Sequence, residues 1–277
     1  MYTKLTKKFI TENILPHLNI SGMGRKTNLP YWKIVKLIIY RLKTGCQWRE
    51  LPIGMAASRI LTSWQSVYYH FNKWSKDGSW FNVWTAVLRA NKAALDMSSI
   101  ELDGSHTPAK RGGEAVAYQG RKKAKTTNAL FLTDRRGIPL AMSRAVAGNH
   151  NDLYRVERRF EEILADVRAA DIDTTDLFMN ADAGFDSEAF REVCFRHDIF
   201  ANIDINKRNA KDPDRPYIKD ELLYEDRFSV ERTNAWIDAF KALLVRFETT
   251  RRNWMSLHYL AFVCILLRPV SYTKSTS

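Results

Sequence analysis

The chain has 277 residues, of which 45% are hydrophobic and 27% are charged, a composition that excludes disordered and fibrous proteins. The formal net charge is +12, and residues 1–99 carry 15 Lys and Arg against 4 acidic residues, so almost the whole excess lies in the first third. Such a basic segment is attracted to a polyanion by counterion release, although a solvated basic face would have the same composition.

The first third of the chain is predicted to be helical. The segment LPYWKIVKLIIYRLKTGCQWRELP places apolar residues at helical spacing after Pro30, and this pattern ends at Gly45. A second periodic stretch begins near Trp64, pauses at 77–78 and then resumes. Helices joined by short glycine-containing turns are typical of a helix-turn-helix domain, and we assign residues 1–97 to a basic helical DNA-binding domain.

Six of the eight tryptophans lie in this segment, and their helical spacing favours a role in its core. The polar residues between the rings are the better candidates for contact with DNA. These candidates are Gln65, Ser66, Asn72, Lys73 and Lys76.

Strands are predicted after this helical segment. SSIELDGSHT is a short run that ends in a turn, and two further apolar segments are joined by a hairpin signal at 134–137. An amphipathic helix should follow, with Asn151 or Asp152 as its N-cap. DLFMNADAGFDS then reads as a buried strand that runs into a loop.

Asp186 and Ser187 are expected to cap the next helix, which leads to a strand in IFANIDIN. One long helix from about Asp226 to Phe247 completes the pattern. The order of three strands, helix, strand, helix, strand and helix predicts a mixed α/β sheet of the ribonuclease H type, although periodicity alone also allows other α/β folds. We assign residues 98–270 to this domain and residues 271–277 to a tail.

Two aspartates stand where strands of the predicted sheet end. Asp103 follows two apolar residues of the first strand, and Asp182 follows LFMNA just before Gly184. A carboxylate at a strand end beside a glycine is a common way to present an oxygen ligand to Mg²⁺. Either aspartate alone is more often a structural turn residue, so a site needs a third ligand from elsewhere.

The predicted long helix can supply that ligand. Glu231 borders its buried face, whereas Glu225 and Asp226 stand at the helix start, where the helix dipole favours negative charge. Glu231 could also be an ordinary partner of Arg227, a pair that stabilises a helix by only about 0.2–0.5 kcal/mol. The residues predicted to face the core are Val230, Ile237, Phe240, Leu244 and Phe247.

The segments IELDGSHTP, LFMNADAGFDS and YEDRFSVERTNAW, in this order, resemble the DDE motif of bacterial insertion-sequence transposases, in particular the insertion sequence 5 family, a relative of the insertion sequence 4 group. The segment YWKIVKLIIYRLKTGCQWRELP also resembles the N-terminal DNA-binding region of that family. The resemblance implies that Asp103, Asp182 and Glu231 form the catalytic and metal-binding triad. It further implies two Mg²⁺ ions, with Mn²⁺ as a substitute, bridged by Asp103.

The third motif of related transposases reads Tyr-x2-Arg-x3-Glu-x6-Lys, and Tyr224, Arg227 and Glu231 match it. We expect Tyr224 and Arg227 to hold a phosphate group of the DNA. The lysine position falls on Asp238, and the nearest basic residue is Lys241, one helical turn further on. The chain therefore has no lysine at the position where relatives use one to bind a phosphate group. Lys241 is the candidate for that role.

The basic cluster GRKKAKTTN enters a strand, and its residues Arg121, Lys122 and Lys123 are candidates for contact with DNA phosphates, although a solvated loop is nearly as common. His150 with Asp152 lacks the spacing of metal ligands and is interpreted as a pair of loop or cap residues.

Neither disulfides nor membrane spans are expected. The three cysteines are widely scattered, and the apolar run YLAFVCILL is far shorter than the roughly 20 residues that cross a bilayer. The N-terminus also lacks the features of a signal peptide. We therefore expect a cytoplasmic protein, and the resemblance implies a bacterial one that associates with the nucleoid.

The resulting hypothesis is a transposase that binds the terminal inverted repeats of its own element, cleaves them and joins them to target DNA. Two ends must meet, so a homodimer or a higher oligomer on double-stranded DNA is expected, without a membrane partner. One alternative is a nuclease of the same fold that does not join DNA. The other is a DNA-binding regulator derived from a transposase, against which the complete acidic triad argues.

Overall fold

In the computed structural model, the described residues are 5–20, 27–53, 55–56, 59–60, 62–207, 217 and 219–268. The tail expected at 271–277 lies outside these ranges. No helix within them is long and apolar enough to cross a membrane.

The N-terminal segment is helical, as predicted. Helix α2 follows Pro30 and ends before Gly45, and the break between α3 and α4 falls at 77–78. A short β-ribbon precedes α3. Its elements are α1 (Lys7–Phe9), which continues as a π-helical turn at Ile10–Ile14, α2 (Tyr31–Thr44), β1 (Met55–Ala56), β2 (Arg59–Ile60), α3 (Trp64–Lys76) and α4 (Ser79–Ala90).

Three of the six tryptophans are buried in the core as predicted, and Trp32 and Trp48 pack against it. Trp74, Trp80 and Trp84 are at most 2% exposed. Trp32, Trp48 and Trp64 keep part of their surface open to solvent.

A mixed sheet follows in the chain. Its strands are β3 (Ser99–Pro108), β4 (Ala117–Gln119), β5 (Ala124–Asp134), β6 (Pro139–Met142), β7 (Val146–Ala147), β8 (Phe178–Ala181) and β9 (Phe200–Ile203). The spatial order through the sheet is β6-β5-β3-β8-β9, with β3, β5 and β6 antiparallel and β8 and β9 parallel to β3. Five strands in this order and direction form a ribonuclease H-like sheet, which confirms the predicted fold class.

The remaining helices are α5 (Val156–Ala169), α6 (Glu188–Arg196), α7 (Glu221–Glu225), α8 (Ser229–Asp238), α9 (Lys241–Leu244) and α10 (Arg251–Leu266). Helix α10 is buried along almost its whole length because it packs between the N-terminal helices and the sheet. The indole of Trp84 in α4 also donates to the carbonyl of Leu140 in β6 at 3.1 Å. The two segments thus share one hydrophobic core, and a domain boundary at residue 97 stays a prediction.

Two predicted helix starts need correction. Helix α5 begins at Val156 rather than beside Asn151, because Arg155 adopts a left-handed conformation (φ 49°) and the side chain of Asp152 is bonded to Asn128 instead of capping the helix. Ser187 caps α6 by accepting a hydrogen bond from the Phe190 N–H, as expected. Asp186 instead forms an ion pair with Arg191 at 2.9 Å.

The single helix predicted from Asp226 to Phe247 is wrong. The chain forms α7, a 3-10 turn, α8 and α9, and it is extended at Phe240 (φ −87°, ψ 100°). Val230, Ile237 and Phe240 are buried as predicted. Leu244 and Phe247 are 39% and 49% exposed, because the break at Phe240 turns the chain after α8 away from the predicted helical face.

Candidate active site

The ends of two parallel strands define the site. Strand β8 pairs with β3 only over Ser99–Glu101, so β3 extends beyond its neighbour and Asp103 lies on this extension. Asp182 directly follows Ala181, the last residue of β8. The two aspartates therefore meet at one edge of the sheet, as the sequence predicts for carboxylates at strand ends.

The Asp103 carboxylate is partly buried and hydrogen bonded on both oxygens. Oδ1 accepts from the Gly104 N–H at 2.7 Å, and Oδ2 accepts from Asn234 Nδ2 at 3.1 Å. Burial is the main cause that raises the pKa of Asp103 to about 6, and the negative charges of Asp152 and Asp182 add to the rise, while the two hydrogen bonds oppose it. A bound cation would favour the ionised form of this carboxylate.

Asp182 is exposed at the start of a 3-10 turn formed by Ala183–Phe185. Its Oδ1 accepts a hydrogen bond from the Gly184 N–H at 2.7 Å. Its negative charge contributes to the raised pKa of Asp103, so the two carboxylates interact electrostatically.

Glu231 lies on the exposed part of α8, one turn before Asn234. Residues three apart on a helix are neighbours on its surface, so the Asn234–Asp103 hydrogen bond also brings the Glu231 side of α8 towards β3. The structure thus brings together the helix and the two strand ends that carry the predicted triad.

The turn between β5 and β6 supports α8. Thr233 Oγ1 donates to the carbonyl of Gly137, and Arg232 Nη1 donates to the carbonyl of Arg136 at 3.1 Å. Gly137 has φ 82°, and a Cβ at this position would lie 2.5 Å from the Ser229 carbonyl. Only glycine allows both this turn and the close approach of α8.

Buried polar side chains join the three parallel strands below the site, and the sequence interpretation missed them. Asn180 Nδ2 donates to Glu101 Oε1 at 3.0 Å, and Asn202 Nδ2 donates to Asn180 Oδ1 at 2.6 Å. Asn180 also donates to the carbonyl of Leu223 in α7 at 2.9 Å. This hydrogen bond connects the segment that contains the third motif with the sheet. A sequence pattern could have revealed these residues. Each of the three strands carries a polar residue two positions before an aspartate, in the segments ELD, NAD and NID.

Asp152 is a second residue whose position the sequence did not reveal. Its Oδ1 accepts from Asn128 Nδ2 at 2.6 Å and lies 3.9 Å from His106 Nε2. The carboxylate packs against Gly104, where a Cβ would collide with it. Asp152 therefore lies against β3 next to Asp103 and adds negative charge there.

Arg227 is held between two aromatic rings. Its guanidinium carbon lies 4.7 Å from the ring centre of Tyr224 and 4.0 Å from that of Phe228. Such cation–π contacts restrict the orientation of the guanidinium group.

Lys241 is not on the same helix as Glu231, in contrast to the prediction, because α8 ends at Asp238. Burial raises the pKa of Asp238, and the positive charges of Lys122 and Lys241 oppose that rise. Lys122 Nζ also donates to the carbonyl of His106 in β3 at 3.3 Å. Two lysines from different elements thus exert positive charge on the position at which the resemblance expected a lysine.

The other basic and polar candidates are distributed over two surfaces. Arg121 and Lys123 are exposed beside Lys122 in the turn between β4 and β5. In α3, Asn72 Oδ1 accepts from Asn253 Nδ2 of α10 at 3.3 Å, so this side chain is engaged within the protein. Gln65 and Lys76 are exposed, while Ser66 and Lys73 are partly buried.

The donor set of Asp103, Asp182 and Glu231 consists of three carboxylates, the oxygen ligands that Mg²⁺ prefers. Within the described part of the chain, no three His, Cys, Asp or Glu side chains are already grouped as a metal site. The carboxylates of Asp103 and Asp182 are instead turned towards the backbone N–H groups of Gly104 and Gly184. The residues fit a divalent cation by chemistry, provided that these side chains turn away from their hydrogen bonds.

Comparisons with known proteins match both segments. Residues 10–84 match the family model "Putative transposase of IS4/5 family", and residues 90–267 match the family model "Transposase DDE domain". No curated protein matches the chain.

Similar solved structures include two complexes of another protein. The "Mos1 transposase paired-end complex with left transposon end" has 12% identity and a TM-score of 0.28 over 88% of this chain and 80% of that one. The "Mos1 mariner paired end complex with Mn" has 11% identity and a TM-score of 0.29 over 89% of this chain and 80% of that one.

Proposed function

The chain belongs to the Transposase DDE domain family, and from that premise we propose that it binds the ends of an insertion sequence, cleaves them and joins them to target DNA. The observation that carries the proposal is the hydrogen bond between Asn234 and Asp103. It connects the helix that bears Glu231 with the strand end that bears the first aspartate of the motif.

Asp103, Asp182 and Glu231 would hold the divalent cations, with Mg²⁺ as the physiological ion and Mn²⁺ as a substitute. When bound, the cations stabilise the negative charge that develops on the attacking and leaving oxygens during phosphodiester cleavage and strand transfer. Asn234 keeps the Asp103 carboxylate oriented, and in the metal-free protein the raised pKa of Asp103 means that this group is mostly ionised only above about pH 6.

Arg227 and Tyr224 are proposed to hold a phosphate group of the DNA next to the acidic residues. The support for this role is the pair of rings that fixes the guanidinium of Arg227. An oriented guanidinium donates two parallel hydrogen bonds to a phosphate, which a mobile lysine does not.

The positive charge that relatives supply at position 238 is proposed to come from Lys122 and Lys241. Both lysines act on Asp238 electrostatically, which supports their proximity to this position. Arg121 and Lys123 extend the same basic turn along a DNA backbone. The charge of the first 99 residues supplies the second DNA-binding surface, with Gln65, Ser66, Asn72, Lys73 and Lys76 as its proposed contacts, and two such chains would bring two DNA ends together.

A strand-transfer assay tests this function. The labelled substrates are the two DNA segments that flank the gene, incubated with Mg²⁺ and a target plasmid. Joined products support transposition, ends that are cut but not joined indicate a nuclease, and binding without cleavage indicates a regulator. Asp103→Asn should bind the same DNA and form no joined product.

A further inference from the structure

A fourth carboxylate lies beside the acidic site, outside the three segments that supply the triad. Asp152 belongs to the loop between β7 and α5, and 36% of its side chain is exposed. Its carboxylate packs against Gly104, and a Cβ at position 104 would lie 2.8 Å from Oδ2. Asp103 bonds to the same glycine, because its Oδ1 accepts from the Gly104 N–H at 2.7 Å. The two aspartates therefore contact one residue that places no side chain between them.

The charges of these two aspartates act on each other. Burial is the main cause of the raised pKa of Asp103, and among the negative charges that add to it Asp152 contributes more than Asp182 does. Like charges held this close destabilise the metal-free protein, and a bound cation removes that cost.

Two buried side chains hold Asp152 against β3. Asn128, which is fully buried, donates from Nδ2 to Asp152 Oδ1 at 2.6 Å. Arg159, which is 3% exposed, donates from Nη2 to Asn128 Oδ1 at 2.6 Å and from Nη1 to the Asp152 carbonyl at 3.2 Å. Hydrogen-bonded supports of this kind orient the carboxylates that bind metal ions in proteins. An aspartate that only terminates a turn needs no such buried support.

The Asp152 carboxylate forms no ion pair with a lysine or arginine that the structure describes. Arg159 bonds to Asn128, to Ser143 and to the backbone of Asp152, and not to its carboxylate. His106 Nε2 lies 3.9 Å from Oδ1 but accepts from Asn128 Nδ2 at 2.8 Å, so this nitrogen carries no proton. Within the described ranges, the hydrogen bonds to this carboxylate reach Oδ1 and leave Oδ2 free. Oδ2 is therefore open to a cation.

We propose that Asp152 is a fourth carboxylate ligand of the acidic site and binds a divalent cation together with Asp103. The proposal rests on the proposed function for the identity of the cation, since Mg²⁺ and Mn²⁺ take oxygen ligands. Glycine is then required at position 104, because any Cβ there would push Asp152 away from the ion. The alternative is a structural role, in which Asp152 only completes the buried network of Asn128 and Arg159.

Mn²⁺ binding to the full chain without DNA, measured from the electron paramagnetic resonance of free Mn²⁺, tests the ligand. Asp152→Asn keeps the side-chain shape and an oxygen for the bond from Asn128, but removes the charge. We expect this change to weaken Mn²⁺ binding at least roughly tenfold, because even the outer partners of metal ligands contribute about 10–100-fold. Glu157→Gln, which removes the same charge from the first turn of α5, is the matched control and should bind like the wild type. Equal Mn²⁺ affinity of Asp152→Asn and the wild type would overturn the proposal.

Denaturant unfolding separates a ligand from a structural residue. Added Mn²⁺ should stabilise the wild type clearly more than Asp152→Asn, because only the wild type keeps all its cation ligands. A structural residue would lower stability by the same amount with and without Mn²⁺, and that result would contradict the proposal.

A cysteine in place of Asp152 provides a further test that does not depend on the stability of Asp152→Asn. A thiolate is a soft ligand, and a Cd²⁺–thiolate bond has its own ultraviolet absorption, so Asp152→Cys should show this absorption above the background of the wild type. The double variant Asp152→Cys/Asp103→Asn should need at least roughly tenfold more Cd²⁺, because both residues bind the same ion. Glu157→Cys, the control, should give the same signal with and without Asp103→Asn. Equal Cd²⁺ affinity of the single and double Asp152→Cys variants would refute a shared ion.

The results also separate this proposal from the proposed function. If Asp103→Asn weakens Mn²⁺ binding and Asp152→Asn does not, only the fourth ligand is wrong. If both changes weaken Mn²⁺ binding and the wild-type chain neither cleaves nor joins DNA ends, the fourth ligand stands and the transposase activity is refuted. If neither change affects Mn²⁺ binding, the acidic residues do not form a cation site and both proposals are wrong.

Discussion

The amide nitrogen Nδ2 of Asn234 lies 3.1 Å from Oδ2 of Asp103, although the two residues are 131 positions apart in sequence. This hydrogen bond connects the central strand of the sheet with the helix that carries Glu231. Because it stabilises the ionised carboxylate, it opposes the effect of burial on Asp103.

Replacing Asn234 with alanine should therefore raise the pKa of Asp103 above about 6. NMR titration of the Asp103 carboxyl in the metal-free protein should show this rise, because Asn234→Ala removes a hydrogen bond that favours the ionised form. Ala235→Ser, at the exposed neighbouring position, is the control. An unchanged titration of the Asp103 carboxyl in metal-free Asn234→Ala would show that the bond does not affect the acidic site.

Asp103 should also make the stability of the metal-free protein depend on pH. Its pKa is raised from 3.8 to about 6 in the native state, so the native state holds this proton more tightly than the unfolded chain does. Protonated Asp103 therefore stabilises the native state. This stabilisation is complete below the unfolded pKa of 3.8 and is lost as pH rises through about 6. Asp103→Asn should thus be more stable than the wild type at pH 7, by about 2 kcal/mol, with a smaller difference at pH 4.

Denaturant unfolding at the two pH values, without and with Mg²⁺, measures this effect. Added Mg²⁺ should stabilise the wild type and leave Asp103→Asn unchanged. If Asp103→Asn were less stable than the wild type at pH 7, the ionised Asp103 carboxylate would not destabilise the metal-free native state, contrary to the prediction.

The contact between Gly104 and Asp152 predicts strong coupling between these positions. Gly104→Ala should lower the free energy of unfolding by about 1–3 kcal/mol, because the new Cβ collides with the Asp152 carboxylate. Combining it with Asp152→Ala should remove most of that penalty, since the collision partner is gone. Gly112→Ala is the matched control, because a Cβ there meets no described atom within 4 Å. Additive effects of the two changes would argue against the contact.

Asn180 should be important for the attachment of α7 to the sheet. Asn180→Ala removes its hydrogen bonds to Glu101, Asn202 and the Leu223 carbonyl and leaves buried polar groups without this partner. We expect a loss of about 2–4 kcal/mol of stability and faster hydrogen exchange of the amides in 221–225. Asn82→Ala, at an exposed position of α4, should change stability by less than about 0.5 kcal/mol.

Much of the fold follows from local patterns in the sequence. Helix α2 ends before Gly45 and the β5–β6 hairpin turns at 134–137 because glycine and turn residues act within a few positions. The break at Phe240 does not follow from such patterns. Leu244 and Phe247 continue a helical spacing, whereas α8 ends at Asp238 and the chain is extended at Phe240.

The candidate site likewise contains residues that the sequence predicts and residues that it does not. Asp103 and Asp182 are recognisable because parallel strands end at a common edge of the sheet. Asp152 is not recognisable, because its position depends on the fold that brings a loop residue against Gly104 of a distant strand. The role of Asn180 is equally hidden, since its partners lie 79 and 43 residues away in sequence.

The central claim is that Glu231, and not its acidic neighbour Glu225, completes the catalytic triad. Strand joining by Glu231→Gln and Glu225→Gln, measured with labelled element ends and Mg²⁺, tests it most directly because both residues are exposed and both changes keep the side-chain shape. We expect Glu231→Gln to bind the DNA and to lose at least about a hundredfold in joining rate, a loss of about 2.7 kcal/mol in transition-state stabilisation, while Glu225→Gln joins like the wild type. Full joining by Glu231→Gln together with its loss in Glu225→Gln would contradict the account.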